Sequence, residues 1–301
     1  MLDQINGLHH VTTIGADPVA IDRFWTHDLG LRRVKKTVNF DAPDVYHLYY
    51  GDDLGRPGTA MTYFPFPGAG KGTRGAGEVH EVRLAIPQGA AAFWADRLGT
   101  KVEVDAFGTP VVHVAAPDGD LFALVEDDDP RTPFTGTVST DHAIRGFHSV
   151  APLVNDAAPT AELLRFMGYE ETARAGDTIR MTRPGGVANV VDLIEHPNAP
   201  AARQSAGSVH HIAFSVDDRA AQQAVRTALA EQGFQVTPVI DRDYFWAIYF
   251  RTPGGILFEV ATNEPGFDRD EDPASLGQAL KLPRQHEHLR PQLERHLVPL
   301  D

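Results

Sequence analysis

His10, His211 and Glu259 are the residues of this sequence whose types and placement suit chemistry at a metal ion. Two imidazoles and one carboxylate make the facial triad of non-haem iron(II) oxygenases. Such a triad holds one face of an octahedron and leaves three positions for substrate oxygen and dioxygen. A single carboxylate leaves a 2+ ion net positive, which favours a deprotonated phenol beside it. The chain has no cysteine, so disulfides and thiolate sites are excluded and any metal is held through nitrogen and oxygen. Fe(2+) is the expected cofactor, with Mn(2+) left open because affinity order does not decide which ion a cell loads. Zinc or nickel acquired in handling would report the geometry and not the working element.

The elements that must position these residues repeat four times. Each unit opens on a β-type run containing histidine: Leu8-His9-His10-Val11, Val79-His80-Glu81-Val82, Phe147-His148-Ser149-Val150 and Val209-His210-His211-Ile212. An amphipathic helical stretch follows each run, over Asp17 to Leu29, Gly89 to Leu98, Thr160 to Met167 and Asp218 to Gln232. Gly30, Gly99, Gly168 and Gly233 then stand at helix-stop positions. Three β-rich segments complete each unit. The reading is an α+β fold of four βαβββ modules, paired into two domains with curved mixed sheets around a metal cavity. Pairing sequence neighbours gives an N-terminal domain over 1–135 (units 1 and 2) and a C-terminal domain over 136–301 (units 3 and 4 with the tail). The boundary falls in the polar stretch Asp127 to Asp141, which contains Pro130 and Pro133.

Aligning the units singles out the triad. The first candidate position holds His10, Glu81, Ser149 and His211, and the second, in the final strand, holds Thr62, Ala123, Val190 and Glu259. A lone histidine on a strand is ordinarily structural, and Glu259 alone would suit the solvent face of an alternating strand. Three such residues at equivalent positions, in units 1 and 4 only, converge if those two units share a cavity.

The repeated unit resembles the vicinal oxygen chelate superfamily of glyoxalases, extradiol dioxygenases and resistance proteins. Gly7 to Thr12, Val34 to Phe40, Tyr46 to Asp52 and Leu280 to Pro283 narrow the resemblance to the hydroquinone ring-cleaving dioxygenases. The resemblance implies cleavage of an aromatic ring by dioxygen. It also implies that His9, Thr12, His210, Arg242 and Tyr249 match polar residues near the substrate. A neutral His210 would take a phenol proton, Arg242 would stabilise negative charge, and Tyr249 would donate a hydrogen bond or position the ring. Strict alternation turns His9 and His210 away from the ligands that follow them, unless a bulge intervenes. Arg242 also suits pairing with Asp241 or Asp243, and Tyr249 suits aromatic packing.

Bulk properties agree with a small-molecule enzyme. Length is 301 residues, and the formal charge of −14 argues against nucleic acid and anionic membrane as partners. No apolar run is long enough to span a membrane, and the start lacks a secretory pattern, so a cytoplasmic protein is expected. Its partners would be a small aromatic substrate and dioxygen, with self-association left open. His47 reads as part of a packed strand, Lys35 and Lys36 as surface charge or substrate steering. The glycine-rich stretch from Gly68 to Gly77 reads as a linker or a lid. The tail from Pro283 to Leu300 reads as a helix that docks on the body or on a partner. Two other functions compete. A glyoxalase-type isomerase would want a fourth ligand where Thr62 stands, and a drug-sequestering binding module would have no use for the triad.

Overall fold

The computed structural model describes residues 1–300. Unit 1 contributes β1 (Leu8–Gly15), β2 (Arg32–Val38), β3 (Tyr46–Gly51) and β4 (Ala60–Pro65). Unit 2 contributes β5 (Glu78–Ile86), β6 (Glu103–Val104), β7 (Pro110–Ala115) and β8 (Leu121–Glu126). Unit 3 supplies β9 (Gly146–Val154), β10 (Glu170–Ala175), β11 (Thr178–Thr182) and β12 (Val190–Glu195). Unit 4 supplies β13 (Ser208–Val216), β14 (Ile240–Asp241), β15 (Phe245–Arg251) and β16 (Leu257–Pro265). The fold is α+β, as expected.

Each unit has its helix after the first strand: α1 (Pro18–Arg23), α2 (Ala91–Leu98), α3 (Ala158–Phe166) and α4 (Arg219–Glu231). Asp17 caps α1 by accepting from the backbone N–H groups of Val19 and Ala20, with Pro18 preorganising the first turn. The predicted single helix to Leu29 instead passes into a π-helical turn, Phe24–Asp28, which buries Phe24 and Trp25. Asp218 caps α4 in the same way, and α4 turns Gln222, Val225 and Leu229 inward. The Gln222 amide donates to the carbonyls of Trp246 and Val260, fastening α4 to β15 and β16.

The pairing of units corrects the sequence-based expectation. One eight-stranded sheet runs β14-β15-β16-β13-β1-β4-β3-β2, and the other runs β10-β11-β12-β9-β5-β8-β7-β6. Unit 1 therefore joins unit 4, and unit 2 joins unit 3, so a division at residue 135 cuts through both sheets. In each sheet the first strands of two units pair antiparallel at the centre, β1 with β13 and β5 with β9. Every unit offers the same unpaired edge on its first strand, and backbone hydrogen bonding alone does not choose among partners. The residues that stand opposite one another across the seam differ between the sheets: Thr12 faces His211 in one, and Arg83 faces Ser149 in the other.

The connections hold the sheets together. The stretch from Gly68 to Gly77 bridges to the segment before β13, through Lys71 with Ala206 and Ala76 with Ala201. At Gly75 a Cβ would lie 2.1 Å from the Pro200 carbonyl oxygen, so only glycine permits the approach. No residue of that stretch lines the metal cavity, which favours the linker reading over the lid. Arg131, in the 127–145 connection, donates to the carbonyls of Gly58 and Phe147 and so ties unit 1 to unit 3. The tail lies against unit 1: Lys281 N–H donates to the Lys36 carbonyl, Tyr46 Oη donates to the Val298 carbonyl, and α5 (Arg290–His296) buries Leu293. Lys35 is neither surface charge nor a steering group. It is wholly buried and ion-paired to Asp270 at 2.7 Å and to Glu271.

Candidate metal centre

The register of three neighbouring strands brings the triad together. β1 and β13 run antiparallel with Thr12 opposite His211, and β13 runs parallel to β16 with Ala213 beside Glu259. His10 Nε2 and His211 Nε2 are 3.3 Å apart. The Glu259 Oε2 oxygen lies 2.9 Å from His211 Nε2 and 3.5 Å from His10 Nε2. All three residues are buried, and neither carboxylate oxygen of Glu259 receives a well-directed hydrogen bond. A buried carboxylate without donors, facing two imidazole nitrogens, is the donor set of a divalent cation site. The residues present therefore fit a divalent metal ion. Burial works against the Glu259 charge, but His10 and His211 hold its carboxyl well below the usual range.

His9 and His210 owe their positions to two β-bulges. The β1–β13 register slips between Leu8 and His10 on one strand, and it passes over His210 on the other. Each bulged histidine thereby stays on the side of the ligand that follows it, which simple alternation would forbid. His9 Nδ1 lies 2.9 Å from His10 Nδ1, and His210 Nδ1 lies 2.7 Å from His211 Nδ1. Were His10 and His211 to hold an ion through Nε2, their Nδ1–H groups would donate to His9 and His210 and fix both rings. The same slips recur at His80 and His148 in the other sheet.

Burial, and then the neighbouring ligand histidine, lower both His9 and His210 to about 3. The unfolded chain therefore takes up these protons first as pH falls. Metal-free protein is expected to lose stability progressively from about pH 6.5 toward pH 3. Urea unfolding across that range should show a shallower decline for His210→Gln, and an unchanged slope would remove His210 from the cause.

A cavity of about 440 Å³ opens from the triad. His210, Arg242 and Tyr249 line it together with the three ligands, and Ile14, Phe64 and Leu257 supply an apolar wall. Arg242 Nε donates to Tyr249 Oη at 3.3 Å, and its other arm lies 3.5 Å from Asp41, in the β2–β3 loop. It pairs with neither Asp241 nor Asp243 there. Burial, and then Glu259, raise the Tyr249 phenol well above its usual range, so it remains a donor. Thr12 and His9 are not in the wall: Thr12 is fully buried against Thr62, and His9 borders a smaller pocket of about 190 Å³ behind the site. His47 and Tyr49 do line the cavity, a placement that the alternation of β3 leaves ambiguous because every residue of that strand is buried.

The second sheet carries the repeat-equivalent positions without a metal set. They hold Glu81, Ser149 and Asp192, the last being two residues beyond the Val190 expected from sequence, because Ser149 itself pairs with Val190. Arg83 spans Glu81 at 2.8 Å and Asp192 at 3.4 Å, and Arg180 grips Asp192 through two contacts of 2.8 Å. Guanidinium groups thus provide the positive charge in one sheet, and a cation would provide it in the other.

The chain belongs to the Glyoxalase/Bleomycin resistance protein/Dioxygenase superfamily, whose family model matches residues 167–260. It is 41% identical to "Putative ring-cleaving dioxygenase MhqO" of Bacillus subtilis (strain 168), over 100% of this chain and 98% of that one. It is 35% identical to the chlorohydroquinone/hydroquinone 1,2-dioxygenase of Sphingobium indicum, over 97% and 96% of the two chains. A crystal structure of a Bacillus subtilis protein superposes with a TM-score of 0.94 at 40% identity, covering 99% and 98%. Glyoxalase I from Zea mays shares the fold at a TM-score of 0.62 and 15% identity, covering 86% and 92%.

Proposed function

We propose that this protein is an iron(II)-dependent, extradiol-type dioxygenase that opens the ring of a hydroquinone, plain or substituted. The observation that carries this reading is the buried His10, His211 and Glu259 triad at the head of a cavity furnished for a phenol. His10 Nε2, His211 Nε2 and a Glu259 oxygen would hold the ion, which when bound brings substrate and dioxygen together for electron transfer between them. His210, kept neutral by burial and accepting at Nδ1 from His211, offers its Nε2–H as a hydrogen-bond donor to an oxygen of the bound phenol. The Arg242 guanidinium offsets negative charge on the substrate side, and Tyr249 orients the ring. Ile14, Phe64 and Leu257 exclude water from the ring face. Names of full-length relatives support ring cleavage, and one of them supports hydroquinone in particular. The isomerase reading loses support at Thr62, whose hydroxyl bonds to Thr12 and His47.

Dioxygen uptake by protein reconstituted anaerobically with iron(II) tests the proposal, with hydroquinones and catechols offered side by side. Uptake with hydroquinone is expected, and should vanish in His211→Ala. Uptake with catechols alone would reassign the substrate, and no uptake by protein shown to hold iron would sink the dioxygenase reading.

A further inference from the structure

Tyr49 stands in unit 1 where Tyr249 stands in unit 4. Tyr249 pairs across the sheet with Glu259, and Tyr49 pairs with Thr62, the residue that replaces that glutamate in unit 1. The two phenols occupy repeat-related places on opposite walls of the cavity, and both line it. Tyr249 is engaged by Arg242, whereas Tyr49 ends a buried chain of hydrogen bonds.

In that chain Thr12 Oγ1 lies 2.8 Å from Thr62 Oγ1, and Thr62 Oγ1 lies 3.0 Å from His47 Nε2. His47 Nδ1 is 2.9 Å from Tyr49 Oη. His47 is buried, and both its ring nitrogens contact hydroxyls, with no carboxylate on either, so it is neutral. Four groups with one hydrogen each are then joined by three links, and one hydrogen is left over, on Thr12, Thr62 or Tyr49. On either threonine it would be stranded. Both side chains are 0% exposed and, among the described residues, have no hydrogen-bond partner outside the chain. A buried donor without an acceptor is costly, whereas Tyr49 lines the cavity, where a bound molecule can supply the acceptor. Donation therefore runs from Thr12 to Thr62, from Thr62 to His47 Nε2, and from His47 Nδ1–H to the Tyr49 oxygen, leaving the phenolic hydrogen outward.

We infer that Tyr49 is a substrate-binding residue that donates its phenolic hydrogen to an oxygen of the bound phenolic substrate, with His47, Thr62 and Thr12 as positioning residues. This rests on the proposed reading of the cavity as a hydroquinone site. Tyr49 serves the side of the triad that Thr62 leaves without a ligand, opposite Glu259 and Tyr249.

Anaerobic calorimetric titration of the iron(II)-loaded protein with hydroquinone and with phenol tests the assignment. Tyr49→Phe keeps the ring that packs 4.8 Å from Phe267, and should weaken hydroquinone about three- to tenfold, the worth of one neutral hydrogen bond. Weakening of hydroquinone alone places the hydrogen on the distal oxygen, and equal weakening of phenol places it on the oxygen nearer the triad. Either supports the inference. Thr62→Val keeps the phenol but removes the donor to His47, so it should weaken hydroquinone in the same sense, and Thr62→Ser should restore it. Unchanged affinities in Tyr49→Phe and Thr62→Val, with wild type still consuming dioxygen on hydroquinone, overturn this inference alone. A wild type that binds neither ligand overturns it together with the proposed function.

Discussion

Glu259→Gln is expected to abolish retention of iron(II) and hydroquinone-dependent dioxygen uptake together, each by more than the roughly 100-fold that follows loss of a residue behind a metal ligand. Glutamine keeps the volume of the side chain, so packing around a fully buried position changes little. It removes the one negative charge among three ligands, and an amide oxygen is a weaker partner for a 2+ ion. The metal-free state should feel the change in the same sense but more weakly. The Glu259 carboxyl is held low beside His10 and His211, so its charge favours the apo fold at neutral pH and the variant should melt somewhat lower than wild type without metal. Added iron(II) should raise the wild-type melting temperature by mass action and leave the variant unmoved. Metal analysis after desalting, with anaerobic melts beside it, reads both effects. A variant that keeps one ion per chain would take Glu259 out of the metal set.

Lys35→Met should cost about 3–5 kcal/mol of folding stability, the range seen when one partner is removed from a buried ion pair. Lys35 is 0% exposed, and the Glu271 side chain that it holds is 4% exposed. Removing the ammonium group strands that carboxylate in the interior. It also frees Tyr244, whose ring lies 4.6 Å from the Lys35 nitrogen and whose hydroxyl donates to Asp270. Phe267, packed on Tyr49 and Tyr244, would lose its backing. Urea unfolding of the single variant, and of Lys35→Met with Glu271→Gln, measures the effect. The double variant should recover a good part of the loss, and a cost below about 1 kcal/mol in the single variant would show the pair to be well solvated.

The triad was legible because a repeated unit turns two histidines and one glutamate into exceptions at equivalent positions. What the repeat could not reveal was which units share a sheet. Neighbouring elements in sequence are usually neighbours in space, and that expectation favoured unit 1 with unit 2. The residues that face one another across the seam, Thr12 with His211 and Arg83 with Ser149, come from different units, and local periodicity carries no trace of their pairing. The bulges at His9 and His210 were hidden for a related reason. A histidine doublet reads as one residue in and one out, and only the paired strand shows that the ladder slips. His47 and Tyr49 lie on a strand buried on both faces, where alternation no longer separates cavity from core, and Lys35 is buried on an edge strand whose Arg32, Arg33 and Lys36 are only partly covered. Asp192 was missed by a two-residue offset in the last strand of unit 3.

The nesting of one sheet inside the chain span of the other sets an order of assembly. Every strand of the inner sheet is available once residue 195 has left the ribosome, whereas β1 must wait for β13, His10 and His211 being 201 positions apart in sequence. Synthesis at roughly 5–20 residues per second leaves unit 1 with an open strand edge for many seconds. During that interval the nascent chain has His10 but not its two partners, so the candidate metal set is incomplete. Closure of the outer sheet, the step of longest sequence separation, is then the event that both protects the edge and makes the protein competent for oxygen chemistry.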